Sequence, residues 1–105
     1  MALPHPLPPE HPFLPADTFK GQTVLITGGG TGLGKAMGEM FARHGASIAI
    51  ASRKPEHREA GLKAMTALGA PAHAVAMDVR EPTQIRDAFD AFEQELGPVT
   101  ALVNN

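Results

Sequence analysis

Thr23-Val-Leu-Ile-Thr-Gly-Gly-Gly-Thr-Gly-Leu-Gly-Lys35 decides the fold, because an apolar run passes directly into a glycine-dense turn and then into a helix start. A short run without polar alternation reads as a strand buried on both faces. Glycines at 28, 32 and 34 let the backbone take left-handed or crowded conformations. The turn's N–H groups and the positive end of the following helix can then close on a pyrophosphate. The stretch predicts a strand, a phosphate loop and a helix in immediate succession.

Three further runs, Ser47 to Ala51, His73 to Met77 and Val99 to Val103, share this buried-strand character. Three helical patterns separate the four runs. In the first, Leu33, Ala36, Met37, Met40 and Phe41 fall at helical spacing, Lys35, Glu39 and Arg43 line the other side, and Gly45 supplies the stop. Gly38, inside that helix, reads either as a point of close helix–strand packing or as a tolerated glycine. The second helix opens with Pro55, ends before Gly69 and buries Leu62, Met65 and Leu68, weakened by Gly61. The third starts near Pro82, places Ile85, Ala88, Phe89, Phe92 and Leu96 on one face, and stops at Gly97 and Pro98. Alternating strands and helices predict an α/β fold: a Rossmann-type doubly wound parallel sheet, of which about four strands and three helices, the first half, are present.

The bulk properties narrow the partners. A net charge of -2 in 105 residues provides no basic field, which argues against nucleic acid. With no cysteine there are no disulfides or thiolate metal sites, and the default compartment is the cytoplasm. Residues 1–20 form a Pro-rich extension, with six of the ten prolines before Asp17. It has neither the basic start nor the long apolar core of a secretory signal or membrane span. Two readings of it stand: an extended strap with Phe13, Leu14 and Phe19 in apolar sockets, or a disordered leader. The histidines at 5, 11, 44, 57 and 73 have no ligand-like spacing, so no metal site is expected. His44, at a helix end, would favour the macrodipole when protonated, and His57 is expected to face water.

Spacing discriminates among phosphate loops. The G-x-G-x-x-G pattern fails in every register, since the third position falls on Leu33, Lys35 or Met37. Gly29, Gly34 and Lys35 approach the nucleotide-triphosphate loop G-x-x-x-x-G-K-[ST], but Ala36 stands where a magnesium-binding hydroxyl is required. What remains is Thr27-Gly28-x-x-x-Gly32-x-Gly34, which resembles the cofactor signature of the short-chain dehydrogenase/reductase family. The resemblance implies phosphate contacts from Gly28, Gly30, Thr31, Gly32, Leu33 and Gly34, those of Thr31 and Leu33 mainly through the backbone. Asp78-Val79 after the third strand matches the family's adenine-contacting pair, although Asp78 alone also suits a turn or cap. Asn104-Asn105 matches the start of the family's Asn-Asn-Ala-Gly motif, with Asn104 assigned to the cofactor site.

The residue that reads the adenosine ribose belongs at the end of the second strand, about 20 residues beyond the last loop glycine. That region is Ser52-Arg53-Lys54. A carboxylate there would accept from the ribose hydroxyls, whereas arginine offers a planar set of donors to a 2′-phosphate. Arg53 therefore points to NADP(H), the alternative being a solvent-facing residue at a strand end. Residues 21–105 then read as the N-terminal part of an NADP-binding Rossmann domain, truncated after its fourth strand.

Within the family, Leu14 to Gly21, the loop GGGTGLGK and the strand end IASRK look like the 2,4-dienoyl-CoA reductases. This implies hydride transfer from NADPH to a dienoyl thioester, protonation to an enoyl-CoA, a role in fatty-acid degradation, and a homo-oligomer, commonly a tetramer. The family's catalytic Ser, Tyr and Lys belong to the later half, so no catalytic residue is assigned here. Two alternatives remain: a noncatalytic dinucleotide-binding sensor or interaction module, and a reductase of another carbonyl or enoyl substrate.

Overall fold

A computed structural model describes His5, Pro8 and residues 14–105. Elements follow in the order β1 (Thr23–Thr27), α1 (Gly32–Arg43), β2 (Ser47–Ser52), α2 (Pro55–Ala67), β3 (Ala72–Ala76), α3 (Pro82–Leu96) and β4 (Ala101–Val103). The strands form one parallel sheet in the order β3-β2-β1-β4. This is the expected Rossmann-type architecture. Chain direction reverses its progress across the sheet between β1 and β4, the place where such folds open a crevice at the carboxyl ends of the strands.

Side chains alternate through the sheet. Val24, Ile26, Ile48 and Ile50 enter one apolar layer with Ala42 of α1 and Met65 of α2. Leu25, Ala49 and Ala51 enter the other, covered by Ala88 and Phe92 of α3. The small alanines on this second face leave room for the Phe92 ring, which is fully buried. β1 and β2 are covered on both faces as expected, but β3 and β4 are only partly so, because they are the sheet's outer strands.

The buried face of α1 differs from the expected one. Gly34, Gly38 and Ala42, four residues apart, face the sheet, while Leu33 and Ala36 are exposed and Met37, Met40 and Phe41 are half-buried. The helix axis lies close to the sheet, and only residues with little or no side chain fit beneath it. In α2, Met65 is buried as expected and Leu62 is half-buried, but Leu68 lies at the exposed carboxyl end.

Phe19 packs on the first apolar layer, its ring edge-to-face with Phe41 at 5.1 Å. Leu14 is exposed, contrary to the socket expected for it, and Phe13 lies outside the described residues. The Leu14 N–H donates to His44 Nε2 at 3.2 Å, and His44 Nδ1 lies 2.7 Å from the Met40 carbonyl. The buried ring thus bonds the backbone on both sides, Nε2 accepting from Leu14 and Nδ1 facing the Met40 carbonyl. His44 therefore ties the chain before Phe19 to α1.

Candidate functional site

A cleft of about 560 Å³ opens at the carboxyl ends of the strands, lined by Thr27 and Gly28 after β1, by residues 51–54 and His57 around the β2–α2 turn, by residues 77–80 after β3, and by Asn105 after β4. All four strands thus deliver residues to one place.

The loop begins at Gly28, whose φ of +68° lies in the left-handed region and whose N–H donates to the Ala51 carbonyl at 2.8 Å. A Cβ here would be strained and would also stand 3.0 Å from Asn105 Nδ2. Gly30 is buried against α2: an added Cβ would run into the His57 carbonyl. Gly61 meets it from the other side, where a Cβ would come within 2.9 Å of the Gly30 Cα and 3.2 Å of the Gly29 carbonyl oxygen. The Gly61 that weakens α2 by propensity is what lets the helix seat the loop.

Thr31, in extended conformation (φ −146°, ψ 161°), is the N-cap of α1 but makes no side-chain capping hydrogen bond. The first intrahelical bond runs from the Lys35 N–H to the Thr31 carbonyl at 3.2 Å, and the first turn holds no acidic residue. The leading N–H groups and the positive end of the helix are thereby left for an anion. Thr31, Gly32 and Leu33 are exposed at this end, while Gly34 packs beneath it against the Gly28 carbonyl.

The β2 terminus supplies the positive wall. Ser52, Arg53 and Lys54 all line the cleft, and His57, expected to face water, joins them from the first turn of α2. Opposite, the Asp78 carboxylate is gripped by Arg80: Nε donates to Oδ1 at 3.0 Å, Nη2 to Oδ2 at 2.7 Å, and the Arg80 N–H to Oδ1 at 2.9 Å. The side-chain bonds first, and the backbone bond next, hold the Asp78 carboxyl well below the usual carboxylate range, with a smaller electrostatic pull from Arg53. The same pairing pushes the Arg80 guanidinium up. The Asp78 N–H donates to Gln84 Oε1 at 2.9 Å, so the segment also acts as the turn into α3.

Gly28, Ser52, Arg53, Asp78 and Val79 thus lie together in the cleft wall, whereas Thr31, Gly32 and Leu33 lie at the α1 end and Gly30 and Gly34 hold the loop from beneath. Asn104 is exposed and outside the cleft lining. Its neighbour Asn105 lines the cleft, its N–H donating to Thr27 Oγ1 at 2.9 Å and its Nδ2 to the Gly28 carbonyl at 3.4 Å. Sequence reasoning missed the roles of His57 and Arg80; the position of His57 one turn after a strand-end basic pair was the available signal. Among the described residues no cluster of three or more acidic or histidine side chains could hold a metal, and no helix is long and apolar enough to cross a membrane.

The cleft chemistry fits a dinucleotide: N–H groups at the start of α1 that an anion can reach, a guanidinium and an ammonium at the β2 terminus, and a turn with fixed polar groups after β3. A family model described as short chain dehydrogenase matches residues 22–105. The chain is 41% identical over 96 residues to a Caenorhabditis elegans protein named "Probable 2,4-dienoyl-CoA reductase", covering 90% of this chain and 31% of that one. It is 39% identical over 95 residues to the peroxisomal 2,4-dienoyl-CoA reductase of Arabidopsis thaliana, covering 90% and 32%. The citronellol catabolism dehydrogenase of Pseudomonas aeruginosa superposes with a TM-score of 0.81 at 32% identity, over 89% of this chain and 38% of that one. The chain spans about a third of the length of the curated relatives it matches.

Proposed function

The chain belongs to the short chain dehydrogenase family, and on that premise we propose that it is the cofactor-binding part of an NADP(H)-dependent oxidoreductase acting on a 2,4-dienoyl-CoA thioester. Residues 21–105 are the nucleotide-binding part and residues 1–20 an extension before it; no catalytic group is assigned to these residues. The proposed site consists of Gly28, Gly30, Thr31, Gly32, Leu33, Gly34, Ser52, Arg53, Asp78, Val79 and Asn104.

The observation that carries the cofactor choice is the position of Arg53 in the same cleft as Gly28 and Asp78. No carboxylate from the β2 terminus lines the cleft to repel a 2′-phosphate. When bound, the nicotinamide supplies or accepts a hydride. This chain's own work is to seat the diphosphate on the α1 amides, hold the ribose end with Arg53, and fix the adenine end against Asp78 and Val79. The substrate class is proposed from the names of the similar reductases, and fatty-acid degradation follows from it. We propose a homo-oligomer, a tetramer, and the cytoplasm as the compartment; fractionation distinguishes this from the peroxisomal location in the name of the plant relative.

Calorimetric titration of the full-length protein tests the cofactor choice. Hydrogen bonds to a charged group are worth about 1.5–3 kcal/mol, so Arg53→Asp is expected to weaken NADPH by about ten- to a hundredfold. NADH affinity should change far less. Equal losses for the two cofactors would overturn the assignment of Arg53.

A further inference from the structure

Arg58 stands one turn into α2 and is not part of the cleft wall. Its guanidinium Nη1 nevertheless donates to two successive main-chain carbonyls, that of Ser52 at 2.9 Å and that of Arg53 at 3.1 Å. Parallel pairing of β2 ends at Ser52, opposite Ala76, and the Met77 N–H reaches the Ser52 carbonyl only at 3.3 Å. Beyond that point the sheet no longer holds the strand. The Lys54 N–H bonds the Ser52 hydroxyl at a long 3.4 Å, while the Lys54 carbonyl accepts the His57 and Arg58 N–H groups, each at 3.1 Å. The Arg53 carbonyl has only Arg58 to accept from among these contacts.

Past the last sheet pairing, the Arg53 carbonyl has no main-chain donor among these contacts and the Ser52 carbonyl has only the long bond from Met77, so without a further donor their peptide planes would be free to turn. A guanidinium donating to both carbonyls holds those planes, because charge-assisted bonds are short, directional and roughly twice as strong as neutral ones. We propose that Arg58 is a positioning residue for cofactor selection: it clamps the Ser52–Arg53 backbone so that Arg53 meets the 2′-phosphate already oriented. The inference rests on the reading of Arg53 as the phosphate ligand. Preorganising one long side chain is worth about two- to tenfold in affinity.

Calorimetric titrations of the full-length protein with NADPH and NADH test this in Arg58→Met, Arg58→Lys, Arg53→Gln and the Arg53→Gln/Arg58→Met double variant. Arg58→Met should weaken NADPH by about two- to tenfold and leave NADH, which also reports an intact fold, unaltered. Arg58→Lys keeps one charged donor nitrogen and should recover part of the loss. Once Arg53 is gone, adding Arg58→Met should cost nothing more, since Arg58 acts through it. Equal loss of both cofactors, or a full further loss in the double variant, overturns the inference. Loss in Arg53→Gln with none in Arg58→Met overturns it while leaving the reading of Arg53 in place. Unaltered NADPH affinity in Arg53→Gln overturns both.

Discussion

Replacing Gly61 with alanine separates what helix propensity expects from what packing dictates. Gly61 lies inside α2, where alanine is intrinsically better by about 0.5–1 kcal/mol. In the fold, however, the added Cβ would come within 2.9 Å of the Gly30 Cα, 2.9 Å of Ile50 Cδ1 and 3.2 Å of the Gly29 carbonyl oxygen. Ile50 Cδ1 is the end of a side chain, but the other two atoms are backbone of the phosphate loop and cannot rotate away. Overpacking of this kind costs about 1–3 kcal/mol, so Gly61→Ala should lose up to about 2.5 kcal/mol, centred on about 1, after the propensity gain is subtracted. Because the displaced atoms belong to the loop, NADPH affinity should fall by about fivefold, near 1 kcal/mol. Gly38→Ala is the control: its Cβ would stand 2.6 Å from Met65 Cε and 3.2 Å from Ile26 Cδ1, both mobile side-chain ends. Methionine's flexible thioether gives way more cheaply than backbone, so Gly38→Ala should lose less stability than Gly61→Ala. Equilibrium denaturation of the full-length protein, with calorimetric titration of NADPH, reads both quantities. A Gly61→Ala variant as stable as the parent, with unaltered affinity, would refute the packing of α2 on the loop.

The remaining expectations concern the two flanks of the cleft. The folded value of Asp78 is depressed by Arg80, so its contribution to stability is present above the ordinary carboxylate range and is lost as pH falls below about 4. Carbon NMR should show the Asp78 carboxyl still ionised when the other carboxylates have titrated, and Arg80→Ala should return it to the ordinary range; an unshifted titration in the parent would contradict the fork. Thr27→Val removes the oxygen that accepts the Asn105 N–H at 2.9 Å and lies 3.4 Å from the Val103 carbonyl it donates to. It should cost about 1 kcal/mol in denaturation and loosen the junction beside Gly28, whereas an unaltered midpoint would show that the β1–β4 junction does not depend on this hydroxyl.

Much of the architecture was legible in the chain because buried parallel strands and amphipathic helices leave strong periodic marks. The unbroken apolar runs located the four strands to within two residues, and Pro55, Pro82 and Gly97 marked helix ends where the structure has them. The glycine pattern located the loop, and Ser52-Arg53-Lys54 did enter the cleft. The reading of α1 failed for a definite reason. Periodicity weighs residues by their apolar bulk, so it selected Leu33, Ala36, Met37, Met40 and Phe41 over the stripe of Gly34, Gly38 and Ala42 that faces the sheet. How closely a helix approaches is set by its partner, here β1 and Met65, and a glycine carries no mark of that distance in the sequence.

By itself, then, the order of residues determined the strand and helix sequence, the phosphate-loop turn and the charge at the end of β2, since each depends on neighbours within about ten positions. Tertiary structure decided that Gly30 meets Gly61 and that Asn105 rather than Asn104 enters the cleft lining against Thr27 and Gly28. Those contacts depend on the direction each side chain takes once the strands have paired and on how near the backbones come, and both are set by segments distant in the chain.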